Sequence, residues 1–220
     1  MEAKFIVLRL ILFMHLHDVY KDLKKELANI DHTWWPVSKK FRPAEFEIVV
    51  GAVLTQNTNW RNVEKALDNL IKAKVLTAKQ IAEIPTSDLE KLIRPSGFYK
   101  QKAKRLKDVA KFIHGYKGNF YKEATRMELL DIKGIGRETA DAILLFACGM
   151  PFFVVDAYTR CLLARLKMIN GKEDYDKIKE MFESALKKDV ELYKEFHALI
   201  VEHEKRIRSD AKGKTDGRVK

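Results

Sequence analysis

Apolar residues recur every three to four positions along most of this chain, and no stretch sustains the period-two alternation of a half-buried strand. Val63, Ala66, Leu67, Leu70 and Ile71 make one stripe; Leu106, Ala110 and Ile113 make a second. Ala140, Ile143, Leu144 and Ala147 make a third, and Tyr175, Ile178, Phe182 and Leu186 a fourth. Breakers separate them: Pro36, Pro43, Pro85, the RPSG of Arg94–Gly97, Gly115–Gly118, Gly149–Pro151 and Gly171. Ser87 with Glu90, and Thr125 with Glu128, have the spacing of capping boxes, in which hydroxyl and carboxylate satisfy each other's free amides. The expected fold is all-α, with about ten short helices.

At 220 residues, 46% of them hydrophobic, the chain can build one large core or two smaller ones. Lysine and arginine number 42 against 31 aspartates and glutamates, a formal net charge of +11. That surplus favours a polyanionic partner, nucleic acid before an anionic membrane surface, although an ordinary basic protein has the same balance. Cys148 and Cys161 stand in apolar surroundings without metal-ligand spacing, and read as reduced core residues of an intracellular protein. The early run FIVLRLILFMHL spans 12 residues with Arg9 inside it, too short to cross a bilayer. No small-residue cleavage site follows, so a buried helix is expected there. Ser209 to Lys220 is polar, basic and glycine-containing, and is expected to be a disordered tail.

The stretch LLDIKGIGRETADAILLFA, Leu129 to Ala147, joins two of the helical patterns through Lys133-Gly134-Ile135-Gly136. The Thr125 box starts the first helix, which should end near Ile132; the second should begin around Arg137, with Glu138 in its first turn. Amides of Gly134 and Gly136, with the positive end of the second helix dipole, would face outward and receive a phosphate oxygen, with no Cβ in the way. A glycine-rich turn alone is weak evidence for nucleic acid.

With its surroundings, this stretch resembles the helix-hairpin-helix of the base-excision DNA glycosylases, the endonuclease III-like superfamily. GMPFFVVDAYTRCLLAR follows it, with Asp156 at the position of the family's aspartate; GAVLTQNTNW and RPSGFYKQKAKRL precede it. The resemblance covers the chain from about Trp34 to Glu202. It implies two helical domains with a DNA-binding cleft. One is a helical barrel over 40–150 carrying the hairpin at 125–147; the other is assembled from 1–39 and 151–208, before the tail at 209–220. It implies double-stranded DNA with damaged bases as partner, a monomer, no membrane, and a cytoplasmic location with the chromosome. Lys133, Gly134, Ile135, Gly136 and Arg137 would bind DNA, and the only cofactor implied is a monovalent cation at the hairpin turn.

Asp156 follows the apolar run Phe152–Val155 and precedes a helical pattern, so by itself it reads as an ordinary N-cap. The same position suits chemistry. Cleaving an N-glycosidic bond builds positive charge on the deoxyribose, which a fixed carboxylate stabilises while orienting or deprotonating water. The base must first be flipped out of the duplex. Bifunctional relatives carry a lysine two residues beyond the hairpin's second glycine; here Glu138 offers no amine, which implies a glycosylase without AP-lyase activity. Lys133 suits phosphate contact better than covalent attack. Many relatives hold a [4Fe–4S] cluster on four cysteines near the C-terminus. This chain has two cysteines in all and reads FHALIVEHEKRIRSD there, with Arg208 near the first cysteine's place. Four-thiolate ligation is excluded, so no iron–sulfur cluster is expected. His203, Glu204 and Lys205 read as a solvated helix end.

The three tryptophans are Trp34 and Trp35 in TWWPV, and Trp60. Core packing would account for them. The subgroup resembled most closely, the cluster-free 3-methyladenine DNA glycosylases, sandwiches the flipped base between aromatics matching Trp34 or Trp35 and Trp60. An N3-alkylated purine is cationic, leaves without protonation, and gains about 1–2 kcal/mol per indole through cation–π attraction. Gln56 and Phe98 match the positions that relatives insert into the opened duplex; their ordinary readings are a helix-end amide and a core aromatic. The run Lys100, Lys102, Lys104 and Arg105 adds charge nearby but reads as a solvated helix face. Two rivals stay open: the same fold acting on mismatched, deaminated or oxidised bases, and a non-catalytic DNA-binding protein using the hairpin.

Overall fold

The computed structural model describes the backbone of residues 15–28 and 38–216, with side chains as far as Asp210. Trp34, Trp35 and most of the early apolar run lie outside the described residues. Every regular element among those described is helical, as the spacing predicts. The chain divides into two compact units, Trp35–Met150 and Met1–Trp34 with Pro151–Lys220.

The unit Trp35–Met150 holds α2 (Glu45–Leu54), α3 (Trp60–Lys72), α4 (Ala78–Glu83) and α5 (Thr86–Ile93). A 3-10 turn (Arg94–Ser96), α6 (Tyr99–His114), α7 (Phe120–Glu123), α8 (Arg126–Asp131) and α9 (Arg137–Ala142) follow. α9 continues as a π-helical turn, Ile143–Ala147, closed by the Cys148 amide donating to the Ile143 carbonyl at 3.0 Å. α6 packs on α4 and α5, and α2 on α3 and the π turn. Their shared interior includes Val49, Val53, Val63, Leu70, Leu106 and Ile143, all fully buried. The Thr125–Glu128 capping box forms as expected. The Ser87–Glu90 box does not: α5 begins at Thr86, so Ser87 already lies in its first turn. Its start is set by Pro85, whose carbonyl accepts from the Asp88 and Leu89 amides at 3.0 and 3.1 Å. A second box stands instead at Thr77 and Gln80, opening α4.

In the other unit the helices are α1 (residues 15–26), α10 (Ala157–Arg165), α11 (Tyr175–Ala185) and α12 (Val190–Asp216). Phe153 stacks on Phe182 with ring centroids 3.9 Å apart, and Phe196 meets both edge-on. The structure departs from expectation in three ways here. α12 runs on through Ser209 to Asp216, because no breaker precedes Gly213. Glu204 is buried and ion-paired with Arg165, while His203 Nδ1 lies 3.1 Å from Glu26; of the presumed solvated trio, only Lys205 is exposed. Cys161 is an exposed residue on α10, not a core one, and Cys148 is only half-buried. Arg208 donates to the Cys161 sulfur (3.3 Å) and lies 4.6 Å from the Tyr158 ring centroid, pinning α12 to α10. Among the described residues no helix is long and apolar enough to cross a membrane.

Candidate nucleic-acid interface and catalytic residues

The turn between α8 and α9 is built as the sequence suggests, with one reassignment. Gly134 has φ +90°, a left-handed conformation that strains any residue with a side chain. A Cβ there would sit 2.5 Å from Arg105 Nε, so the missing side chain makes room for Arg105. Around Gly136 nothing lies within 4 Å of the same position, and this is the glycine that leaves an approach open. Lys133, Gly136, Arg137 and Glu138 are exposed. Ile135 is buried, and its amide donates to the Ile132 carbonyl at 3.0 Å. It therefore anchors the turn and offers neither side chain nor amide to DNA. Beneath the turn, Asp141 of α9 is fully buried and paired bidentately with Arg126 of α8, at 2.7 and 3.1 Å. This pair joins the two helices of the hairpin across fifteen residues of sequence, and nothing in the spacing announces it.

Gln56 belongs to the same constellation. Its amide nitrogen donates to Thr139 Oγ1 (2.9 Å) and to the Gly134 carbonyl (3.3 Å), while its oxygen accepts from Arg105 Nη1 at 2.5 Å. Phe98 is not core: it is 65% exposed and adopts φ 45°, ψ 30° at the head of α6. A large exposed aromatic in a left-handed backbone carries a conformational cost of about 1–2 kcal/mol, of the kind found at functional positions. Trp60 is half-buried at the start of α3, its indole nitrogen donating to Glu64 at 2.9 Å.

In the other unit, Asp156 caps α10. Its Oδ1 accepts from the Thr159 amide (2.7 Å) and hydroxyl (3.0 Å), so both of its readings begin from the same geometry. Its Oδ2 lies 4.0 Å from Nε2 of His197, a buried residue on α12 whose Nδ1 donates to the Val154 carbonyl at 3.2 Å. Burial holds the His197 imidazole below its ordinary pKa, against the opposing pull of the Asp156 carboxylate. A neutral ring there adds no positive charge beside Asp156; the cation that acts on its carboxylate is Arg208 of α12. Sequence reasoning missed His197; its one signal was a lone histidine inside the buried run FHALIV. Among the described residues, no group of three or more His, Cys, Asp or Glu side chains could hold a metal.

An all-α fold with this hairpin, followed by a capping aspartate, is the arrangement of the base-excision DNA glycosylases that the sequence resembles. The chain belongs to the HhH-GPD superfamily of base excision DNA repair proteins, whose signature matches residues 50–188. It is 49% identical over 198 residues to a Methanocaldococcus jannaschii protein provisionally named a DNA repair glycosylase, covering 86% of this chain and 88% of that one. The crystal structure of H. pylori 3-methyladenine DNA glycosylase MagIII, bound to 1,N6-ethenoadenine, is 39% identical with a TM-score of 0.75. That match spans 87% of this chain and 97% of that one. An endonuclease III–DNA covalent intermediate, 20% identical, has a TM-score of 0.71 over 86% of this chain and 84% of that one, and shows the shared fold. The protein is thus a DNA glycosylase with DNA as its partner.

Proposed function

We propose that the protein is a monofunctional glycosylase that flips alkylated purines of the 3-methyladenine type out of duplex DNA and hydrolyses their N-glycosidic bond, starting base excision repair. The observation that carries this reading is the half-committed carboxylate of Asp156. One oxygen is fixed by Thr159, and the side chain keeps 16% of its surface exposed beside a neutral imidazole. Such a group holds its charge in one place, as the stabilisation of an oxocarbenium-like sugar requires. The leaving base, already cationic, needs no acid. Electron-rich rings, Trp60 with Trp34 or Trp35, suffice to hold it. Hairpin residues Lys133, Gly136 and Arg137 take the phosphate, and Gln56 and Phe98 enter the space that the base vacates. The likeness to the H. pylori enzyme supports the choice of substrate class.

The test is a base-release panel on duplexes carrying methylated, deaminated and oxidised bases. Release of 3-methyladenine first and fastest is the expected result; preferential release of uracil or an oxidised purine would overturn the substrate assignment. Because Glu138 cannot form a Schiff base, borohydride treatment during turnover is expected to trap no covalent complex, read as the absence of a shifted protein–DNA band. Trp60→Ala should slow release of cationic bases by about ten-fold while leaving affinity for undamaged duplex unchanged. Equal losses in both would remove the stacking role.

A further inference from the structure

The run Lys100, Lys102, Lys104 and Arg105 is not one solvated face. Lys100 and Lys104 are exposed, Arg105 is half-buried, and Lys102 keeps only 1% of its surface. An ammonium so deep is costly unless its donors are satisfied. Lys102 Nζ donates to the Leu54 carbonyl at 2.9 Å and to the Ser96 carbonyl at 2.6 Å. Leu54 ends α2 two residues before Gln56, and Ser96 ends the 3-10 turn two residues before Phe98. Near the next turn of α6, Arg105 holds the Gln56 oxygen and fills the space beside Gly134. Positions 102 and 105 are three apart on α6 and so share one side of the helix, which starts directly after Phe98.

We propose that Lys102 and Arg105 are positioning residues, and that successive turns of α6 hold the Gln56 loop, Phe98 and the hairpin in a single register. Entry of side chains into the duplex is thereby coupled to phosphate capture at the turn. The inference rests on the glycosylase reading for the sites at which Gln56 and Phe98 act; neither positioning residue touches the reacting bond. Its physical content is rigidity. Without Lys102, two interior carbonyls lose their donor, and the loops that follow them relax independently. Burial, aided by the charge of Arg105, pushes the Lys102 amine down to about 8. A neutral amine still has two N–H bonds to give, one for each carbonyl, so the tether survives deprotonation.

The experiment places 2-aminopurine beside an abasic-site analogue in a duplex and reads its unstacking by fluorescence, which needs no base release. Lys102→Met keeps the stem and removes the donors. It is expected to cut the unstacking amplitude by about five-fold or more, the consequence of unpairing two interior carbonyls. Affinity for undamaged duplex should stay within about three-fold, since the phosphate contacts are intact. Phe98→Ala should lose a similar amplitude, and the double variant no more than the larger single loss. Losses that multiply, or a wild-type amplitude in Lys102→Met, overturn the proposal. If Lys102→Met does not fold, the wild-type protein decides. Its amplitude should be flat from about pH 7 to 9.5, and a fall tracking the amine's titration overturns the tether. If these results hold while no damaged duplex yields free base, the glycosylase reading fails and the positioning role stands.

Discussion

Asp156→Asn is expected to slow release of 3-methyladenine by about 10³-fold, the scale on which removing one fixed electrostatic stabiliser acts, with duplex affinity within a few-fold of wild type. The substitution separates two roles that share one side chain. Asparagine caps helices about as well as aspartate, and its carbonyl oxygen can still accept from the Thr159 amide and hydroxyl. α10 therefore keeps its start, and stability should change by less than about 1 kcal/mol. What disappears is the negative charge that the proposed mechanism requires. Asp156→Ala removes both cap and charge, and should add a stability loss of about 1 kcal/mol to the same catalytic defect. Single-turnover release, duplex titration and thermal melting of the three forms distinguish the outcomes. An asparagine variant within ten-fold of wild-type release would reduce Asp156 to its cap and end the catalytic assignment.

The hairpin was legible because its signals are local. The Thr125 box, the break at Ile132 and the restart at Arg137 all follow from short-range chemistry, and all appear where expected. Asp156 as a cap was legible for the same reason. What escaped was long-range pairing. Arg126 and Asp141 lie on separate helices, and only the folded hairpin brings them together. Lys102 stands among charged neighbours in sequence, yet it lies on the apolar stripe with Ala103, Leu106 and Val109, a position that marks a buried lysine rather than a solvated one. Gly134 also makes room for Arg105, a residue 29 positions earlier that no local pattern connects to it. Ser87–Glu90 shows the opposite failure. A well-spaced motif lost to Pro85, whose carbonyl had already set the helix start.

For folding, the largest losses are expected at the Arg126–Asp141 pair. The Asp141 carboxylate is fully buried, and Arg126 reaches it with Nε at 2.7 Å and Nη2 at 3.1 Å while keeping 22% of its own side-chain surface. Breaking one side of a buried ion pair costs about 3–5 kcal/mol, because the remaining charge stays out of water without its partner. In Asp141→Ala the remaining charge is the partly exposed guanidinium, which can recover some hydration, so the low end, about 3 kcal/mol, is expected. For a chain of this size that lowers the melting temperature by roughly 10 °C. Arg126→Ala should cost more, since it takes the guanidinium from the carboxylate, the deeper of the two groups. Removing both should be less harmful than removing Arg126 alone, the signature of a desolvated pair whose members are worse apart than absent. The pair also ties α8 to α9, so duplex affinity should weaken with stability although every residue of the turn is unchanged. A melting temperature within about 2 °C of wild type would mean that the hairpin is held by its apolar contacts, Leu129 and Ile135 among them, with the ion pair incidental.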